Sequence, residues 1–116
     1  MQPLTITIQV VEGKEKSHLV RFSGAFDGHT KEVATSLERL INEMTEGTLI
    51  FDFSELVYLN SYAIGHIVSW HNVLKQKKCE IIIASLNKNV EDIFNVLGII
   101  SLFRVFADVD SALQAL

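Results

Sequence analysis

Two short apolar runs, separated by a helical pattern, constrain the fold of this chain more than any other feature. Residues 48–53 and 80–84 are too short for typical helices, and their apolar residues do not alternate with polar ones. Such runs are typical of strands that are buried on both faces of a parallel sheet. Between them, apolar residues recur at helical spacing from Ile64 to Leu74, which predicts the crossover helix of a β-α-β unit.

The rest of the chain extends this alternation to the order β-β-α-β-α-β-α-β-α. Residues 4–10 alternate apolar and polar side chains, and residues 18–23 follow a polar turn, so the first two strands are predicted to pair as a hairpin. Loops are predicted at 24–29 and 54–60, and a helix capped by Gly47 is predicted over 33–44. A further helix begins at Asn87 or Asn89, with Val90, Ile93, Phe94 and Leu97 facing inward. A strand at 103–106 and a last helix from Asp108 to Leu116 complete the chain. We therefore expect one α/β domain with a mostly parallel central sheet, an antiparallel edge strand and about four helices.

Composition and charge exclude several classes of partner. The 116 residues are 48% hydrophobic, which is enough for a packed core. Lys and Arg total 10 against 14 Asp and Glu, and an acidic domain gains little from counterion release, so we expect no nucleic-acid partner. No apolar stretch reaches the length of a membrane span, and the first residues do not resemble a signal peptide. We predict a cytoplasmic protein with no direct membrane insertion.

The sequence offers no arrangement for catalysis, a metal ion or a cofactor. Only His66 and His71 share a predicted helix, and five residues of helix turn them about 140° apart, so they cannot chelate together. Cys79 has no second cysteine to pair with. Lys77 and Lys78 could lower the pKa of its thiol, but no base accompanies it, and a structural thiol is predicted. We therefore predict no catalytic residue, no metal site and no cofactor.

The stretch from Asp52 to Gly65 is the strongest candidate for a functional site. A buried strand ends at Phe53, and a loop then delivers Ser61 to the first turn of the next helix. α/β domains place their sites at this carboxyl edge of the sheet, and the unpaired N–H groups of a helix start favour an anion on the serine oxygen. The residues alone leave two interpretations open: Ser61 is only the N-cap of the helix, or its hydroxyl carries an anion.

At these residues the chain resembles the STAS domain family, as found in bacterial anti-sigma factor antagonists. The family's pattern is a buried strand, Asp-Leu-Ser, a hydrophobic loop, and then Asp-Ser-Ser-Gly-Leu-Gly at the start of a helix. The matching stretches are Asp52-Phe53-Ser54, Asn60-Ser61-Tyr62-Ala63-Ile64-Gly65 and, more loosely, Gly24-Ala25-Phe26-Asp27, 89–94, 97–103 and 108–116. The resemblance covers nearly the whole chain in the same order of elements.

The resemblance implies a regulatory protein that works by binding another protein. In the family, the serine after the aspartate is phosphorylated by a serine kinase that is also an anti-sigma factor, and that serine corresponds to Ser61. The unphosphorylated form binds the kinase, which then releases its sigma factor. Phosphate breaks the complex, and a phosphatase restores the first state.

Three residues around Ser61 depart from the family's pattern. Asn60, Tyr62 and Ala63 stand in place of Asp, Ser and Gly, which removes a charge beside the hydroxyl and makes the turn bulkier. These departures do not affect the expected fold, but they bear on phosphorylation. The alternative function is therefore a STAS binding or scaffold subunit of a transporter or of a multiprotein sensory complex, which need not be phosphorylated.

We predict that the partner surface is built from two loops at the same end of the sheet. Asp27, Gly28 and His29 follow the second strand, and the turn formed by Asn60, Ser61 and Tyr62 follows the third. Successive parallel strands end at the same edge, so the two loops are expected to converge. The aromatic ring of Tyr62 is the expected hot spot of the interface, unless it packs inward and anchors the helix.

Overall fold

The computed structural model describes residues 2–28 and 31–116, and within them the chain forms one mixed sheet with helices on both faces. The strands are β1 (Thr5–Val11), β2 (Lys14–Phe26), β3 (Thr48–Leu59), β4 (Glu80–Ala84) and β5 (Arg104–Phe106). The helices are α1 (Thr35–Glu43), α2 (Ser61–Gln76), α3 (Lys88–Val96) and α4 (Val109–Gln114). Short 3-10 turns at Lys31–Ala34 and Ile100–Leu102 precede α1 and β5.

The sheet has the strands in chain order, β1-β2-β3-β4-β5. β1 is antiparallel to β2, and every later pair is parallel. This confirms the predicted fold class, including the antiparallel edge strand. The prediction that the two apolar runs are adjacent and parallel is also confirmed, because Leu49 pairs with Ile81 and Ile50 pairs with Ile82. Asp52 lies where the β3–β4 pairing ends, opposite Ala84.

Alternation along the strands divides the apolar side chains between two cores. Phe51 and Phe53 of β3 join the larger core beneath α1, α2 and α3. Ile50, which precedes Phe51, faces the opposite side and packs with Ala112 of α4 in the smaller core. The longest described helix is α2, with 16 residues. Its buried side chains include Trp70 and His71 in addition to the predicted apolar positions. None of the helices in the described ranges has the length and apolar character needed to cross a membrane.

Two segments predicted as loops are strand instead. Residues 24–26 continue β2 and residues 54–59 continue β3, and the two extensions pair with each other from Gly24 opposite Leu56 to Phe26 opposite Leu59. Register shifts on either side of Gly24 allow the pairing to continue past the end of β4. The extended β2–β3 pair therefore projects beyond the rest of the sheet and carries the turn with Ser61 at its tip.

The prediction that Gly47 caps α1 is wrong. The helix ends at Glu43 with Met44 as its C-cap, three residues before the glycine. Gly47 has a φ of +99°, and a Cβ there would overlap the carbonyl oxygen of Lys16. The glycine is therefore required by the close approach of β2 to the start of β3.

An ion pair between exposed Arg21 and buried Asp52 favours one register of β2 against β3. The Asp52 carboxylate is 1% exposed, and its Oδ2 lies 2.8 Å from Nε of Arg21 on the neighbouring strand. Its Oδ1 accepts a hydrogen bond from the Ser54 backbone N–H at 3.0 Å. A buried carboxylate without these partners would be costly, so a slip of this register is disfavoured.

Candidate functional site

The turn between β3 and α2 is closed by Asn60. Its backbone is extended, and its side-chain Oδ1 accepts a hydrogen bond from the Ala63 N–H at 3.1 Å, so Asn60 is the N-cap of α2. The interpretation of Ser61 as the N-cap is therefore wrong. Ser61 is the first helical residue and is exposed, and no other described residue hydrogen-bonds its hydroxyl. The hydroxyl stands at a helix start without a capping role.

Asn60 also joins the two loops that were expected to converge. Its side-chain Nδ2 donates to the carbonyl oxygen of Asp27 at 3.1 Å, and its backbone N–H donates to the carbonyl oxygen of Phe26 at 3.3 Å. The ends of β2 and β3 are thus held together at the start of α2. The neutral amide has a structural reason here, because an aspartate at position 60 could not donate to the Asp27 carbonyl.

Tyr62 lies across the end of β2. Gly28 has a φ of +90°, and a Cβ on it would be 2.8 Å from Cδ1 of the Tyr62 ring. On its other side the ring lies 4.5 Å from that of His66, one turn further along α2, and Tyr62 remains 39% exposed. The Tyr62 side chain is therefore partly buried. One part of its ring packs against the domain, and the rest is exposed to solvent.

The aromatic contacts continue from Tyr62 into the core and attach α2 to α1. The His66 ring lies 5.7 Å from that of Trp70, and the Trp70 ring stacks on Phe26 at 6.0 Å. The indole Nε1 donates to Oε2 of Glu38 on α1 at 3.4 Å. A series of ring contacts thus connects the exposed Tyr62 ring to the buried core.

The structure therefore brings together Asp27, Gly28, Asn60, Ser61 and Tyr62, while His29 lies outside the described residues. Their role in partner binding remains a prediction.

An apolar groove lies on the other side of Ser61, between the start of α2 and the second half of α3. This α2–α3 groove encloses about 310 Å³. It is lined by Leu59, Asn60, Ser61, Ile64, Asp92, Ile93, Val96 and Leu97. Val96 is 85% exposed and Leu97 is 52% exposed, so the groove opens to solvent through apolar side chains.

Sequence reasoning missed this groove because it assigned one apolar side to α3. Val90 and Phe94 are buried as predicted, but Leu97 faces solvent, and Ile93 is only partly buried. The available signal was Val96, which lies about 200° around the helix from Phe94 and so cannot face the same core. Gly98, with a φ of +70°, ends the helix as predicted.

The titratable groups with shifted pKa values lie away from the turn. Burial lowers the pKa of His71, which packs against the Phe103 ring at 4.8 Å, and nearby Lys75 adds to this effect. Burial likewise lowers the pKa of His18. For Cys79, burial raises the thiol pKa, and this outweighs the lowering by the charge of Lys77. The described residues contain no cluster of His, Cys, Asp and Glu that could hold a metal ion.

Comparison with known proteins gives both a family and a fold. The sequence model of the STAS domain matches residues 8–112. A STAS domain protein from Planctomyces limnophilus, described as an anti-sigma factor antagonist, has the same fold with a TM-score of 0.84 at 12% identity, over 96% of this chain and 97% of that one.

Two further solved structures represent the two functional alternatives. The phosphorylated form of SpoIIAA, a cell fate determinant of Bacillus, matches with a TM-score of 0.74 at 17% identity, over 96% of this chain and 98% of that one. A sulfate transporter family protein from Wolinella succinogenes matches with a TM-score of 0.73 at 15% identity, over 86% and 84%. At these identities the likeness shows a common fold.

Proposed function

Because the chain belongs to the STAS domain family, we propose that it is a regulator similar to an anti-sigma factor antagonist. In this proposal it binds a serine kinase that is also an anti-sigma factor, and phosphorylation at Ser61 switches that binding off. The observation that carries the proposal is the Ser61 hydroxyl, which is exposed at the first position of α2 and has no capping role. It also occupies the position of the family motif at which the phosphorylated serine stands.

The domain can accept a phosphate at Ser61 without refolding. A phosphate brings a charge of about −1.5 to −2 near neutral pH, and the start of a helix favours negative charge through its free N–H groups and its dipole. Asn60 caps the helix through its own side chain, so a modified Ser61 leaves that hydrogen bond in place. The switch therefore acts on the surface and not on the fold.

The same phosphate is unfavourable in an interface. Ser61 borders both the exposed Tyr62 ring and the α2–α3 groove. A partner that covers these surfaces would have to remove water from a dianion, and this cost is of several kcal/mol for an unpaired ion. The unphosphorylated form binds and the phosphorylated form does not.

The alternative function is a STAS binding or scaffold subunit of a transporter or of a multiprotein sensory complex. The similarity to the sulfate transporter family protein supports it, as do Asn60 and Tyr62, which depart from the family's phosphorylation motif. The amide of Asn60 is used to hold the β2 loop and not to place a charge beside the hydroxyl. In this alternative the same surface binds a partner constitutively.

The experiment that separates the two functions is isolation of the protein with its bound partners from its native cells. The switch predicts a kinase-like partner and a phosphate on Ser61 in the fraction that lacks the partner, both read by mass spectrometry. A stable complex with a transporter or scaffold protein, with Ser61 unmodified in bound and free fractions, would support the alternative instead.

A further inference from the structure

We propose that the α2–α3 groove is the docking site for an amphipathic helix of the protein partner, and that Ser61 forms part of its wall. This inference rests on the proposed function and adds the chemistry of the contact. Because Ser61 lines the groove, a phosphate on it would lie within the interface with the partner helix and not at its edge.

The lining of the groove fits protein side chains better than a small metabolite. Its only polar residues are Asn60, Ser61 and Asp92, and the Asn60 side chain is already used for the cap and the Asp27 carbonyl. Small-molecule pockets bury about 70–90% of the ligand surface, whereas this groove is open to solvent along Val96, which is 85% exposed. The enclosed volume of about 310 Å³ also lies at the low end of such pockets, about 300–1,000 Å³.

The exposed apolar surface around the groove needs a partner. α3 buries Val90 and Phe94 in the core and directs Val96 and Leu97 outward at its other side. A helix with apolar residues on two sides is typical of one that packs between a core and another element. Ile64 of α2 and Ile93 of α3 extend this surface toward the floor of the groove, where Leu59 is buried.

A helix fits this surface better than an added strand. The two walls are themselves helices, and α3 lines the groove from Asp92 to Val96, which is about 7 Å of helix. An added strand could not pair with the edge of β3 at Leu56, because the Leu56 carbonyl already accepts a hydrogen bond from Nδ2 of Asn87 at 2.8 Å. Packing of a third helix by apolar residues at i, i+3, i+4 and i+7 needs no such backbone groups.

The charge of the groove specifies the polar edge of the partner helix. Asp92 is the only charged residue of its lining, and its pairing with Lys88 at 3.2 Å is exposed and weak. A Lys or Arg beside the apolar row of the partner helix would therefore find a carboxylate at the rim. An acidic residue there would be repelled, and a phosphate on Ser61 would add charge to an otherwise apolar wall.

The first test uses the isolated complex and single substitutions. Val96→Ser and Leu97→Ser should each weaken binding by about tenfold in calorimetric titration, because each removes one apolar contact. Val10→Ser is the matched control, since Val10 is 53% exposed on β1 and lies outside the groove. It should bind like the wild type. All three variants should melt within a few degrees of the wild type because the changed side chains are exposed.

The outcomes separate the inference from the proposed function. Binding that Ser61→Asp abolishes but that neither groove variant weakens would overturn the inference and leave the switch in place. Binding that the groove variants weaken but that Ser61→Asp does not would retain the groove and overturn the switch.

A second test needs no natural partner. A designed amphipathic helical peptide with Leu at i, i+3, i+4 and i+7 and Lys on its polar face is titrated into isotope-labelled protein, with a scrambled peptide of the same composition as control. The methyl NMR signals of Leu59, Ile64, Val96 and Leu97 should shift in a saturable manner, and those of Val10 should not. No saturable shift, or the same shifts with the scrambled peptide, would contradict a helix-binding groove.

Discussion

The starts of α2 and α3 are built by the same device. Each follows a parallel strand, and each is capped by an asparagine whose Oδ1 accepts the N–H of the third helical residue, at 3.1 Å for Asn60 and 2.9 Å for Asn87. Each asparagine also donates its Nδ2 to a carbonyl of the extended β2–β3 region, Asp27 in one case and Leu56 in the other. The two caps therefore hold the helices to the sheet in the same way.

The residue after the cap is where the two helix starts differ. Lys88, at the first position of α3, pairs with Asp92 one turn along at 3.2 Å. Ser61, at the first position of α2, lies between the exposed Tyr62 ring and the apolar groove, and its hydroxyl has no hydrogen bond to another described residue. The asparagines thus hold both helix starts, while the Ser61 hydroxyl is exposed and takes no part in the cap.

The largest expected effect comes from placing the same charge at both first positions. Ser61→Asp should weaken partner binding by on the order of 100-fold, because its carboxylate would be desolvated in the interface. Lys88→Asp should change binding less than about threefold, because the α3 start contributes no groove wall at that position. Ser61→Ala should bind like the wild type and lose little stability, since Asn60 provides the cap. Calorimetric titration with the isolated partner measures all three.

The two caps should contribute similarly to stability. Asn60→Ala and Asn87→Ala each remove an N-cap and a hydrogen bond to a carbonyl, so each should lower the free energy of unfolding by about 2 kcal/mol. Urea denaturation followed by circular dichroism measures both. Asn60→Asp keeps the acceptor and loses only the donor, so its loss should be about half as large. If only Asn87→Ala lowered the free energy of unfolding, the two helix starts would not be equivalent.

Tyr62 should affect binding more than folding. Tyr62→Ala should weaken the complex by about tenfold and lower the free energy of unfolding by about 1 kcal/mol, because the ring is 39% exposed and contacts mainly Gly28 and His66. Tyr62→Phe keeps the ring and should behave nearly as the wild type. Intact binding together with a clear loss of stability would instead make Tyr62 an anchor of α2.

The smallest effect is a dependence of stability on pH from a residue outside the site. The folded protein favours neutral His71, because burial and Lys75 lower its pKa, against an opposing effect of Glu80. As pH falls below about 6.5, the unfolded chain takes up this proton first, so stability decreases until the pH reaches the folded pKa. The contribution should be under about 1 kcal/mol between pH 7.5 and 5.5.

Denaturation of His71→Gln at these two pH values tests that contribution. The variant should lose less stability on acidification than the wild type. A residual loss from His18 is expected in both, because burial lowers its pKa in the same direction. Equal losses in both proteins would remove His71 as a source of the pH dependence.

The sequence predicted the sheet because its central strands are apolar on both faces. It did not predict how far β2 and β3 extend, since residues 54–59 contain turn-like polar residues and their pairing depends on register shifts beside Gly24. The ion pair between Arg21 and Asp52 was also missed. The two residues are 31 positions apart in the sequence and meet only when β2 and β3 pair in one register. Such contacts are set by the packing of the whole sheet.

The geometry of the turn that carries Ser61 could be predicted only in part. An Asn-Ser pair before a helix gives two residues that are both good N-caps, and local preference does not choose between them. The choice of Asn60 follows from the Asp27 carbonyl, which only an amide can satisfy at the same time as the cap. The α3 side of the groove was missed because Leu97 was assigned to the core, while the packed structure leaves it exposed.

The most direct measurement of the proposed switch is phosphate transfer within the isolated complex. The complex is incubated with ATP, and the phosphate is located by fragment-ion mass spectrometry, which must distinguish Ser61 from Ser54 and Ser69. We predict phosphate on Ser61 and release of the partner in proportion to it, with neither in Ser61→Ala. Stoichiometric phosphate on Ser61 with the complex intact, or release without any modification of Ser61, would contradict this prediction.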